Sequence, residues 1–191
     1  MASSQARPVE TGVWIGIAAI TMSFAALTSA LVVRQGSAPD WQHFRLPPIL
    51  YLNTALLLAS SATLERARRR AAGGAGGAGG AGAPDAALRT GVAATLVLGV
   101  LFLLGQGLAW RALAAQGLFL ATNPSSSFFY VLTAVHGLHL AGGLVALAYL
   151  WFRLRHRPGT ASRQAFGAAA LYWHFVDGLW VYLLSILSLR V

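Results

Sequence analysis

Three things are scarce in this 191-residue chain. It has no cysteine, which excludes disulfides, iron–sulfur clusters and cysteine-ligated zinc. It has no lysine, so all 14 basic residues are arginines. Charge of either sign is sparse: 10% of residues are charged and only five are acidic, whereas a soluble domain carries about 25%. A soluble globular domain is therefore excluded. What the chain has instead is 57% hydrophobic residues and a mean hydropathy of +0.62, the composition of an integral membrane protein. The net charge of +9 would suit a nucleic-acid binder. The arginines lie beside the apolar segments, however, as topology signals do, so no nucleic-acid partner is expected. Arginine without lysine, with abundant alanine and glycine, fits a GC-rich bacterial genome.

Five uncharged stretches can each span a bilayer, which takes about 20 mostly apolar residues. They predict an all-α bundle with spans at about 12–33, 47–64, 89–109, 128–152 and 168–189. The uncharged run from Arg111 to Arg153 is too long for one helix, and the polar knot "ATNPSSS" (121–127) breaks it. The first span is too long for the apolar core of a signal peptide and is expected to be retained. Placing the N-terminus in the cytoplasm puts ten arginines on that side and four on the other, so the positive-inside rule predicts a cytoplasmic N-terminus and an outside C-terminus. Trp14, Trp110 and Trp151 fall near span ends, as an interfacial belt would have them. Residues 71–87, "AAGGAGGAGGAGAPDAA", are expected to form a flexible cytoplasmic linker. Their glycines are not a phosphate loop, because no lysine follows and no strand precedes them.

Polar residues inside the spans carry the most information. "AVHGLHLAGG" (134–143) puts His136 and His139 three residues apart in the fourth span, about 60° apart on one face. "YWHFVDGLWVY" (172–182) spaces His174, Asp177 and Trp180 in the same way. Asp177 falls near the middle of its span, where a charged aspartate costs on the order of 2.5–3.5 kcal/mol on insertion scales. It should therefore face protein and have a partner. Counting outward from the loop near residue 159 puts His139 level with Asp177 or its neighbours. A contact between them is predicted, with Gly142 and Gly143 permitting close approach.

Three readings compete for this cluster. Haem ligation would pair His136 or His139 with His174, but needs room that two closely packed spans do not leave. A proton relay needs titratable groups linked to both faces, and no acidic chain leads away. The favoured reading is a hydrogen-bonded polar clasp of His136, His139, His174 and Asp177, with Gly142, Gly143 and Trp180 in helix packing. No third metal ligand stands out, so no zinc site is expected. No catalytic, cofactor-binding or metal-binding residue is assigned to this chain.

With these motifs in view, the chain resembles subunit III of the haem–copper oxidases, of the cytochrome c oxidase type. "TNPSSSFFYVLTAVHGLHLAGG" (122–143) and "YWHFVDGLWVYL" (172–183) carry the resemblance, with weaker support from "GVW" (12–14) and "LNTALLLASSAT" (52–63). It implies an all-helical core subunit without haem or copper of its own, those cofactors residing in partner subunits. It also implies partners in the catalytic subunit I, other oxidase subunits and membrane phospholipids, a location in the bacterial inner membrane, and a part in sustaining proton uptake. Two departures stand out. The family's usual seven helices are reduced to five, as in many bacterial members. In "AITMSF" (19–24), Ile20 occupies the place of the family's buried glutamate. That substitution leaves Asp177 as the one acid within any span. The related subunit of a quinol oxidase or nitric oxide reductase complex fits the same motifs. From another class, a small b-type haem membrane protein is the alternative.

Overall fold

A computed structural model describes residues 8–37, 39–73, 83–156 and 163–191. They form five α-helices in chain order: α1 (Pro8–Ser37), α2 (Ile49–Gly73), α3 (Ala83–Ala114), α4 (Pro124–His156) and α5 (Arg163–Arg190). The segments are rich in alanine and leucine, which are strong helix formers. In hydrocarbon, a helix is also the one open-chain structure that satisfies its own backbone. The ends are locally encoded. Gly117 adopts φ 78°, and the bonds Leu118 N→Leu113 O (3.1 Å) and Gly117 N→Ala114 O (3.0 Å) close α3 in a Schellman turn. Asn123 then caps α4, its Oδ1 accepting from Ser126 N at 2.8 Å, with Pro124 in the first helical position. The polar knot is thus a helix stop followed by a helix start.

α2, α3, α4 and α5 form a closed ring in which each packs on the next, and α1 lies against α4 and α5. α1 buries a narrow stripe, Ile17, Ile20, Phe24, Thr28 and Leu31, at spacings of three and four. Trp14, Ile15, Met22 and Val33 point outward, which suits lipid or a partner chain rather than water. Ile20 therefore sits on the inner stripe, where the apolar side chain completes the packing. The tightest seam is between α2 and α3. A Cβ added at Gly91 would lie 2.1 Å from Ala67 Cβ, and one at Gly105 would lie 2.1 Å from Asn53 Oδ1. At the far end of the bundle the 39–48 loop is tied to the last residues of the chain, by Trp41 Nε1→Arg190 O (2.9 Å) and Phe44 N→Val191 O (2.8 Å).

α1, α3, α4 and α5 contain their predicted spans and run beyond them, whereas α2 starts at Ile49, two residues inside its predicted span of 47–64, and runs on to Gly73. Among the described residues, four helices, α1, α3, α4 and α5, are long and apolar enough to cross a membrane. α2 differs. Its uncharged part, residues 49–64, is roughly 24 Å long, short of a hydrocarbon core about 30 Å thick. Glu65, Arg66, Arg68, Arg69 and Arg70 follow at once, and Glu65 brings this charged end of α2 beside α5. The predicted 71–87 linker is shorter than expected, because α2 takes residues 71–73 and α3 takes 83–87. Its middle, 74–82, lies outside the described residues. At this end Arg89 and Arg155 line one surface pocket beside Trp151, and Arg155 lies over the Trp151 ring at 5.4 Å. The arginines of α2, α3 and α4 counted on one side thus do gather at one end of the bundle. Trp14 is exposed and Trp110 half-buried, with its Nε1 donating to Thr133 Oγ1 at 3.1 Å.

Candidate functional site

α5 presents Trp173, Asp177 and Trp180 on one face, at i, i+4 and i+7, and all three are buried. That face meets α2. Trp173 Nε1 donates to Ser60 Oγ at 3.0 Å and Trp180 Nε1 donates to Thr54 Oγ1 at 3.0 Å. Between them, Asp177 Oδ2 accepts from Ser61 Oγ in a short bond and from Ser60 Oγ at 3.5 Å. Ser61 Oγ also meets His174 Nδ1 at 2.9 Å. The result is a ladder of hydroxyls on α2 against indoles and a carboxyl on α5. It continues to α3, where Thr95 Oγ1 lies 3.2 Å from Thr63 Oγ1 and donates to Ser60 O at 3.3 Å. Ser60 and Thr54 each bond back to their own helix as well, to Leu57 O and Leu50 O, the usual way a hydroxyl is housed in an apolar helix.

His174 faces outward along the same seam. Its side chain is 36% exposed, and its Nε2 lies 4.0 Å from Glu65 Oε2. Glu65 is itself forked by Arg68 (2.7 and 3.0 Å) and Arg69 (2.7 Å). Hydrogen bonds from these two guanidiniums hold the Glu65 carboxyl down at about 2, below its usual 4.5.

The predicted clasp between His139 and Asp177 is not formed. Gly143 lies against Trp173 (3.3 Å from an added Cβ) and His136 stacks against Trp180 at 5.0 Å. In that register His139 is indeed level with Asp177, so the count of depth holds. The facing does not. His139 bonds through Nδ1 to Val135 O of its own helix at 2.7 Å and sets its ring against Phe24 of α1 at 5.8 Å, while Asp177 turns to α2. His136 is fully buried between Phe102 (5.9 Å) and Trp180 (5.0 Å), with neither ring nitrogen hydrogen-bonded among the described residues. Of the four residues assigned to the clasp, only His174 and Asp177 are brought together, through Ser61. Gly143 does serve close approach, under Tyr172 and Trp173, but a Cβ at Gly142 would meet nothing within 4 Å. Trp180 packs as expected, and also donates a hydrogen bond.

His136 and His174 are not placed as a haem axial pair. His136 is level with Trp180, roughly 9 Å along α5 from His174, and aromatic rings cover it on two sides. Among the described residues no group of three or more His, Cys, Asp or Glu is placed to hold a metal ion. The partners that sequence reasoning missed are Ser60, Ser61 and Thr54. They stand in "LNTALLLASSAT", and the available signal was the pair of serines inside an apolar stretch, about one turn before Glu65.

A family model described as Cytochrome c oxidase subunit III matches residues 38–189. The chain is 30% identical over 187 residues to a probable cytochrome c oxidase subunit 3 of Mycobacterium leprae (strain TN), covering 94% of this chain and 86% of that protein. It is 32% identical over 185 residues to cytochrome c oxidase subunit 3 of Synechocystis sp., covering 93% and 74%. It is also 28% identical over 182 residues to cytochrome c oxidase subunit 3 of Bacillus sp. (strain PS3), covering 93% and 84%.

Proposed function

The chain belongs to the cytochrome c oxidase subunit III family, and from that premise we propose that it is a non-catalytic subunit of a bacterial haem–copper terminal oxidase. It is a multi-pass membrane protein and a component of an oxidoreductase complex, associated with other oxidase subunits. In the proposed role it packs against the catalytic subunit I, holds phospholipids against its outer faces and helps sustain proton uptake during turnover. Haem and copper belong to the partner subunits. The bundle lies in the inner membrane with its arginine-rich end in the cytoplasm.

The observation that carries this reading is that the two segments most specific to the family fall on neighbouring helices, α4 and α5, and that α5 is bonded to α2 through the third such segment. The outward apolar residues of α1 and α3, such as Met22 and Leu104, supply surface for lipid and for a partner chain. The test is to purify a tagged chain from mild detergent, identify its partners and record a visible spectrum. Co-purification with a haem-bearing catalytic subunit is expected, while the chain alone shows no Soret band. A stoichiometric Soret band in the single chain would favour the b-type haem alternative. Recovery with quinol oxidase or nitric oxide reductase subunits would move the chain to one of those complexes.

A further inference from the structure

We propose that Asp177 is a buried proton-exchange site, loaded from the arginine-rich end of the bundle through His174 and Ser61. The proposal goes beyond the subunit role above and does not depend on which oxidase holds the chain. The acidic chain that the sequence lacks is replaced by a histidine and a hydroxyl. His174 is the outer group, its Nε2 4.0 Å from Glu65 Oε2 at the charged end of α2, and it lines a cleft with Thr21, Phe24 and Ala25 of α1. Its Nδ1 meets Ser61 Oγ at 2.9 Å, and Ser61 Oγ donates to Asp177 Oδ2. Asp177 is 3% exposed, so the bonded chain is its route to solvent.

The transfer balances. Solvent adds a proton at His174 Nε2, the Nδ1 proton passes to Ser61 Oγ, and the hydroxyl proton of Ser61 passes to Asp177 Oδ2. One proton has moved from solvent to the carboxyl, Ser61 is unchanged, and His174 is neutral with its proton on the other nitrogen. Unloading runs the same steps backward and restores the first tautomer, so no further group has to reset the chain.

Charged groups flank the outer end of the path. From α2, Glu65 faces His174 Nε2 at 4.0 Å, with Arg68 and Arg69 paired to Glu65 behind and opposing its charge. On α4, His139 is level with Asp177 but turned to Phe24 of α1, while α3 contributes Thr95 and α1 contributes Thr21, neither of them ionisable in this range. Asp177 Oδ1 is buried and has no hydrogen-bond partner among the described residues.

The experiment uses the full chain in phospholipid nanodiscs and follows the infrared C=O band of protonated carboxyl groups after dilution into D2O, over a pH series. The band lost in Asp177→Asn, or shifted in Asp177→Glu should the amide variant fail to fold, identifies the group. Its hydrogen–deuterium exchange is expected to slow by roughly tenfold or more in Ser61→Ala and in His174→Gln, as loss of one bond to an ionisable group implies. Ser61→Thr, which keeps the hydroxyl, should restore the parent rate. General loosening of the helices would speed exchange instead, so the sign separates the two effects. An unchanged or faster rate in both variants overturns the proposal, and so does the absence of any Asp177 band across the pH series. Neither outcome bears on whether the chain co-purifies with an oxidase.

Discussion

At the scale of single residues, the buried polar groups divide into those with a partner and those without. Trp180 and Trp173 each donate an indole N–H across the α2–α5 seam, whereas both ring nitrogens of His136 are buried and unpaired among the described residues. A desolvated group without a partner is a cost that an apolar replacement removes. His136→Phe is therefore expected to be neutral or to stabilise the bundle by up to about 1 kcal/mol, because a planar ring is kept between Phe102 and Trp180. Trp180→Phe should destabilise by about 1 kcal/mol, since it removes the bond to Thr54 and keeps most of the ring. Reversible unfolding in mixed micelles measures both. A loss of more than about 2 kcal/mol in His136→Phe would show that His136 holds a water or a ligand after all.

At the scale of helices, rotation about the axis decides which side chains meet, and small residues decide how closely. The α2–α3 seam closes on Gly105, where an added Cβ would sit 2.1 Å from Asn53 Oδ1 and 2.9 Å from Asn53 Cγ. Gly105→Ala is expected to cost about 1–3 kcal/mol by overpacking. Asn53→Ala should recover most of that loss, because it removes the atoms in the way, and both polar atoms of Asn53 are already unpaired among the described residues. Gly142→Ala, with open space around it, should lie within about 0.5 kcal/mol of the parent. A double-mutant cycle on residues 53 and 105, with Gly142→Ala as control, measures the coupling. Additive losses at 53 and 105 would mean that the seam relaxes elsewhere.

At the scale of the whole molecule, charge is confined to the two ends, and it sets both sidedness and acid response. A reporter enzyme fused after Arg155 should be active in the cytoplasm, and one inserted at Gly117 should be active outside. The reverse pattern would contradict the arginine count. Glu65 is held down at about 2 by Arg68 and Arg69. A carboxyl lowered in the folded state contributes its stability in full above its unfolded value near 4.5 and loses it as pH falls through the folded value. The difference in thermal midpoint between the parent and Glu65→Gln should therefore stay constant from neutral pH to about 5 and shrink below that. It should also shrink with added salt, because both arginine partners are more than half exposed. A difference that grows on acidification would show that the carboxylate is not the group responsible.

The sequence by itself determined the solvent, the number of helices and the depth of each polar residue. Apolar length, Asn123–Pro124 and Gly117 act locally, and depth is a linear count along a helix of fixed rise. That count alone put His139 level with Asp177 or its neighbours. Only the tertiary structure decided which way each residue faces. The partner of Asp177 is Ser61, 116 positions earlier in the chain, on a helix that is not adjacent to α5 in the sequence. His139 turned instead to α1, through a contact with Phe24. Rotation about a helix axis is set by the sum of contacts with every neighbour, and an all-round apolar helix carries no amphipathic stripe from which that rotation can be read.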